Sequence, residues 1–143
     1  MAFSHAKVGA FYLDDSGAAL RDLSASLNSV DFSREVDTPE TTVFGLDDRT
    51  YIAGLAGATI SISGFWDDAA TIGANTVIEP IVGQTLALNW QYGPEGQVTG
   101  DVRYSGTCFC TSYNITGSVD GVVEFTADFQ ITGAVTADTS AFG

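Results

Sequence analysis

The chain has 143 residues, 45% hydrophobic and 11% aromatic, enough for one domain with a buried core and too apolar for intrinsic disorder. Five basic residues stand against 18 acidic ones, a formal charge of −13, which argues against nucleic-acid binding by counterion release. The opening residues lack the apolar core of a secretion signal, and no apolar run reaches membrane-spanning length, so the expectation is a protein that folds in the cytosol of its maker.

Residues 7–13 read as a first strand, stopped by a turn at Asp14-Asp15-Ser16-Gly17. Residues 18–28 are mixed, with Leu23 and Leu27 allowing one helical turn at most. Residues 29–38 alternate as a strand, Val30, Phe32 and Val36 inward and Asp31, Ser33, Glu35 and Asp37 outward. Pro39 interrupts it, and residues 41–45 resume with β-branched side chains, a pattern that fits an edge or a projecting loop. A turn at 46–49, a segment at 50–55 and a turn at Gly57 follow.

Residues 58–66 alternate again and present Thr59, Ser61 and Ser63 on one face. Thr76-Val77-Ile78-Glu79 has capping-box spacing, predicting a short helix over 77–82 with Pro80 in its first turn and Gly83 at its end. Residues 85–92 set Leu86, Leu88, Trp90 and Tyr92 against Thr85, Ala87, Asn89 and Gln91, and a turn occupies 93–96. Residues 101–115 are strand-like with a change of phase near Gly106, which predicts a bulge. The last strand sets Val123, Phe125, Ala127, Phe129, Ile131 and Val135 against Glu124, Thr126, Asp128, Gln130 and Thr132. The fold class is mainly β, an antiparallel sandwich or partial barrel over residues 1–143 with one short flanking helix and extended termini at 1–6 and 137–143.

Chemistry is sparse. His5 is the single histidine, so no histidine-based triad or dyad is expected. Cys108 and Cys110 supply two ligands of a metal site that lacks two more, and core packing as reduced thiols is the favoured reading. The Asp pairs 14–15, 47–48 and 67–68 fall at turns or a helix start, where Asp serves the backbone, and none has EF-hand spacing. Asn114-Ile115-Thr116 is a formal glycosylation sequon that a chain without a signal peptide does not use. No catalytic residue, metal ligand or cofactor is assigned; a spatially matched carboxylate pair stays open.

The ordered series Asp22-Leu23-Ser24, Ser29-Val30-Asp31-Phe32-Ser33, Thr41-Thr42-Val43-Phe44-Gly45, Tyr51-Ile52-Ala53-Gly54-Leu55 and Phe65-Trp66-Asp67 resembles the first half of a long-tailed (siphovirus-type) phage tail tube protein. Tyr113, Val119-Asp120-Gly121-Val122-Val123, Phe125 and Phe129-Gln130-Ile131-Thr132-Gly133 resemble the second half, so the similarity covers about residues 7–136. Order carries it, since each motif alone is strand and turn chemistry. The resemblance implies a β-sandwich flanked by a helix, hexameric rings stacked into a tube for double-stranded DNA, and no active site. It also implies a tape measure protein and a tail terminator as partners, no membrane, and a place in the virion tail after assembly in the host bacterial cytoplasm.

Six copies of a −13 chain carry −78 formal charges per ring, a hydrated like-charged wall past which DNA slides. Four strands from each of six copies would close a barrel of roughly 50 Å backbone diameter with about 40 Å between side chains, wide enough for a hydrated duplex. Two strand faces qualify for the lumen: Thr59, Ser61 and Ser63 on one, and Glu124, Thr126, Asp128 and Gln130 on the other. A projecting loop carrying Asp37, Thr38, Pro39, Glu40, Thr41, Thr42, Asp47, Asp48 and Arg49 is expected to contact the next ring. Contractile and secretion tubes share the ring fold. A different class, a carbohydrate-binding sandwich, is suggested by Trp66, Trp90, Tyr92 and Tyr104, with core packing as the competing use of those rings.

Overall fold

The computed structural model describes residues 9–45, 47–70, 73–94, 96 and 100–140. Alternation at the C-terminal end does what its period demands: Phe125, Ala127, Phe129 and Ile131 are buried, and Glu124, Thr126, Asp128 and Gln130 between them are exposed. In chain order the elements are β1 (Ala10–Asp14), β2 (Leu20–Asp22), β3 (Leu27–Val36), β4 (Ala56–Phe65), α1 (Ala74–Ile78) with a 3-10 turn at Glu79–Ile81, β5 (Leu88–Gly93), β6 (Arg103–Thr116) and β7 (Glu124–Asp138). All seven strands form one antiparallel sheet in the order β2-β1-β5-β6-β7-β4-β3.

One sheet makes a two-layered core because its long central strands bend. Pairing of β6 with β7 passes from Ser105↔Thr136 to Thr107↔Thr132, leaving residues 133–135 of β7 opposite Gly106. Gly133 sits at φ 81°, a conformation costly for any other residue, and Thr107 Oγ1 donates to the Thr132 carbonyl at 2.7 Å beside it. A second irregularity leaves Thr111 unpaired between Cys110 and Ser112, its hydroxyl donating to the Asp128 carbonyl at 3.1 Å. The bent sheet brings β3, an edge, against β5 and β6. The Phe32 ring lies 5.3 Å from that of Trp90 and 5.4 Å from that of Tyr104.

The core between the layers holds Phe11, Leu13, Ile60, Ile62, Trp90, Phe125 and Phe129, each worth roughly 1.5–3 kcal/mol over its exposed state. Cys108 and Cys110 are free and buried among them. Burial pushes the Cys108 thiol up to about 12 and the Cys110 thiol up to about 11, so both pack as small apolar groups. Ala74, Val77, Ile78 and Ile81 close one side of the core, and the Tyr113 hydroxyl donates to Asn75 Oδ1 at 3.0 Å.

Several expectations are corrected. Residues 18–28 hold the short strand β2, a single turn at 24–26 and the first two residues of β3, with Leu23 buried between the strands. The Ser26 N–H closes that turn on the Leu23 carbonyl at 3.0 Å, within the one helical turn at most that was expected. Asp14 ends β1 rather than opening a turn; it is buried and its Oδ2 accepts the Asn89 N–H at 2.9 Å, tying β1 to the head of β5. The helix starts at Ala74, before the expected capping box. Thr76 Oγ1 donates to the Ala69 carbonyl at 2.8 Å instead of capping, and Pro80 falls in the 3-10 turn. Leu86 and Val36, expected inward, are exposed because their strands end short of them or run out past the core; Val123 is partly exposed in the β6–β7 turn. Gln91, expected outward, is buried. Gly57 lies within β4 opposite Glu35, not in a turn, and Ala137 and Asp138 belong to β7. The Asp138 carboxylate receives Arg103 Nε at 3.0 Å and its terminal nitrogen at 2.8 Å, pinning the strand end. Residues 1–6, His5 included, lie outside the described residues, as do Lys7, Val8 and residues 141–143.

Two tests follow from the fold. At the β3–β4 irregularity, where pairing steps from Leu27↔Gly64 to Ser29↔Ser63, a Cβ on residue 64 would collide with the Ser26 carbonyl and lie 2.8 Å from Leu27 Cα. Gly64→Ala should lower stability by about 1–3 kcal/mol in urea denaturation, whereas Gly57→Ala, with nothing within 4 Å of its Cβ, should not destabilise the fold. Equal stability of the two variants would show that the close approach is not real. Acid stability gives the second. Arg21, with the Ala19 and Gly17 N–H groups, holds Asp15 below the usual carboxylate range; Arg103, with the Ser140 N–H, does so for Asp138. A depressed carboxyl contributes above its unfolded pKa and loses that contribution as pH falls through its folded value. Urea midpoints should therefore drop between about pH 5 and about pH 2, and Arg103→Met should flatten the drop. An unchanged acid slope in that variant would remove Asp138 from the account.

Candidate functional site

Two hydroxyl-rich faces distant in sequence become one surface in the fold. Antiparallel register places Thr59 opposite Gln130, Ser61 opposite Asp128 and Ser63 opposite Thr126. On the outer side of β4, Ser33, Asp31 and Ser29 of β3 extend the same three rows, while Phe109, Ser112 and Asn114 of β6 extend them beyond β7. Glu124 pairs with Thr116 and with Phe65 at the end of the face. Every candidate lumen residue thus lies on one four-stranded surface, β3-β4-β7-β6, turned away from the core.

Side chains on this face hold one another. Ser61 Oγ donates to Asp128 Oδ1 at 2.7 Å and Ser112 Oγ donates to Asp128 Oδ2 at 3.0 Å, so one carboxylate is clamped from both neighbouring strands. Ser63 Oγ donates to Asn28 Oδ1 at 3.1 Å, and Gln130 Nε2 donates to the Ala58 carbonyl at 3.0 Å. Asp31, Glu35, Glu124 and Asp128 give the face four acids. The described arginines are all engaged elsewhere. Arg21 pairs with Asp15, Arg103 with Asp138, and Arg49 stands 3.7 Å from Glu40; the Arg34 guanidinium lies over the Phe32 and Tyr104 rings at 5.5 and 5.6 Å, on the opposite side of β3.

Two strand edges flank the surface. Among the described residues β3 ends the sheet, and β6 from Phe109 onward has a strand partner only in β7, because its pairing with β5 stops at Cys108. Unpaired edges of this kind invite another strand.

Residues 37–55 leave the β3–β4 hairpin as an arm. Asp37 N–H donates to the Leu55 carbonyl at 3.0 Å, Ile52 N–H to the Pro39 carbonyl at 3.1 Å and Thr41 N–H to the Thr50 carbonyl at 2.7 Å. The Thr41 and Thr50 hydroxyls meet at 2.9 Å, and Thr42 Oγ1 accepts the Thr50 N–H. Residues 41–45, read as an edge or a projecting loop, and residues 50–55 form no named strand; across the arm the described residues make the single bridge Glu40↔Tyr51, and Pro39 supplies no N–H to extend it. All nine loop residues singled out from sequence lie on this arm and are exposed. Val43, Phe44, Tyr51, Ile52 and Leu55, which the sequence offered only within motifs of the resemblance and not among the stacking residues, are exposed as well, Phe44 completely.

The aromatic residues that suggested sugar binding do not form a platform. Trp90 is buried, Tyr104 lies under Arg34 against Phe32, and Trp66 sits at the far end of β4 with its backbone N–H on the Val123 carbonyl. Among the described residues no three His, Cys, Asp or Glu side chains converge as a metal site.

Known proteins share this fold. Residues 12–137 match the family model described as phage tail tube protein. A search of curated proteins gave no match. The chain is similar to a subunit in the tail of an empty gene transfer agent particle refined with C6 helical symmetry, at 21% identity and a TM-score of 0.78, over 94% of this chain and 98% of that one. It is similar to the SPP1 tail tube protein at 10% identity and a TM-score of 0.78, over 98% and 81% of the two chains. A sheath–tube complex of the PVC extracellular contractile injection system gives 11% identity and a TM-score of 0.67, over 96% and 92%.

Proposed function

We propose how this chain works from one premise: it belongs to the phage tail tube protein family and is a structural subunit of a virion tail tube. The observation that carries the reading is the union of both hydroxyl-rich faces into one surface, without a base among its described residues and with a free strand edge on each side. Six copies join edge to edge, β3 of one against residues 109–116 of β6 in the next. Because neighbours in the four-strand set all run antiparallel, that junction is antiparallel too, and closure satisfies both edges.

The polar face then lines the lumen and passes double-stranded DNA without holding it. A basic side chain there would form charge-assisted contacts to phosphate, whereas carboxylates and hydroxyls keep water on the wall. The arm reaches the next ring. Partners in this reading are further copies, a tape measure protein within the lumen and a tail terminator at the end. The role is mechanical rather than catalytic, and assembly takes place in the cytoplasm of the bacterial host.

Replacing Glu124 and Asp128 together with Lys should leave tubes intact and slow DNA ejection, most at low salt where screening is weakest. Ejection at the wild-type rate in low salt would remove this face from the lumen. Deleting residues 38–42 should leave a folded protein that no longer forms tubes, read by circular dichroism and negative-stain microscopy. Normal polymerisation of the deletion variant would refute the stacking role of the arm.

A further inference from the structure

The arm lies at one end of the four-stranded surface, and a second apolar projection lies at the other. Register fixes this: Val36 pairs with Ala56 where the arm leaves, while Phe65 pairs with Glu124, next to the β6–β7 turn at residues 117–123. The ten residues of β4 between them span about 33 Å. Among the described residues, the two most exposed large hydrophobic side chains are Phe44 on the arm and Val119 on the turn. Val122 on the turn, with Ile115 and Phe65 beside it, is also exposed, as are Ile52 and Leu55 on the arm.

We propose that the β6–β7 turn of one subunit, centred on Val119 and Val122, is the docking surface for the arm of a second copy of this chain in the adjoining ring. The inference rests on the reading of the arm as the stacking element and names what it meets. Identical rings stacked in one orientation bring the end that carries the arm onto the end that carries the turn, so the contact is heterologous and propagates. The turn is held ready. Gly121 N–H donates to the Ser118 carbonyl at 3.3 Å, and Trp66 N–H donates to the Val123 carbonyl at 2.8 Å, anchoring it to β4. Little ordering is therefore lost on docking. Charge fits as well: the turn carries Asp120 and no base, and Arg49 on the arm is held only loosely, 3.7 Å from Glu40 with both side chains exposed.

Mixing two variants tests the proposal. Val119→Asp with Val122→Asp should give folded rings with intact arms that do not stack; the arm deletion should give rings with intact turns that do not stack. An equimolar mixture should form pairs of rings and stop, doubling the sedimenting mass. If the arm deletion blocks tubes but the turn variant polymerises as wild type does, the turn is not the acceptor and the arm reading stands. If the arm deletion polymerises, the arm reading fails and this one with it. A mixture that stays as single rings overturns the pairing. A charge exchange avoids the valines: Asp120→Arg should raise the critical concentration for stacking about fivefold or more, and adding Arg49→Asp should restore it. Absence of rescue overturns the Arg49–Asp120 contact and the alignment it defines.

Discussion

One antiparallel sheet has two faces, and within a single subunit this one can bury only the inner face. The bend at Gly106 and Gly133 makes even that possible, since a flat sheet would hold Phe32 far from Trp90. Folding the β3 edge over β5 and the first half of β6 encloses Phe11, Ile60, Phe125 and Phe129, and α1 closes the open side. The same bend splits β6. Its first half is committed to β5, and its second half emerges with an unpaired edge. Core formation and the availability of an interface therefore have one cause, three residues of β7 set against a single glycine.

What sequence could reveal was set by period and by range. Period-two patterns were legible wherever a strand buries one face against a core, so β7, β4 and the middle of β3 were read in the correct phase. The bulge near Gly106 was visible as a break in that phase. Contacts that carry no periodic trace were not legible. β2 is three residues long, and its pairing with β1 is a tertiary decision. The spacing of Thr76 and Glu79 imitated a cap because it depends on residue types alone, whereas the helix start is fixed by Asn75 N–H reaching the Asp67 carbonyl. The candidate lumen residues were found as two sets; only the β4–β7 register shows them to be one, with Asp31 of β3 and Ser112 of β6 added in the same row. The extra residue at Thr111 shifts the phase of β6, which hid Ser112 and Asn114 from any period-two reading.

Net charge gives a poor account of the polar surface until the cations are placed. With 18 acids, a few acidic side chains on any face are expected by composition alone. The absence of a base from the described residues of this face has a structural origin instead. Arg34 is on the edge strand nearest the polar face, yet alternation sends it to the other side of β3, where two aromatic rings receive its guanidinium. A shift of β3 by one residue would turn Arg34 onto the polar face, opposite Gly57 or Thr59, and put a cation there. Phe32 between Trp90 and Tyr104 prevents that shift, so core packing on one side of the strand maintains the chemistry on the other.

The same charge constrains where copies can adhere. Chains at −13 repel one another, and that repulsion is screened only over about 8 Å at physiological ionic strength. Adhesion must therefore come from short-range contacts that charge does not dominate. In the assembly proposed above, strand-edge hydrogen bonds meet this condition around a ring, and exposed apolar side chains meet it between rings. Among the described residues most of the large exposed hydrophobics lie on the arm and at the β6–β7 turn, with Val82, Leu86 and Val102 elsewhere. The middle of the outward face is hydroxyl, carboxylate and amide apart from the half-buried Phe109. A chain that exposed such residues along the sheet would associate sideways in many registers. With most of them at two ends about 33 Å apart, the proposed stacking is directed along one axis.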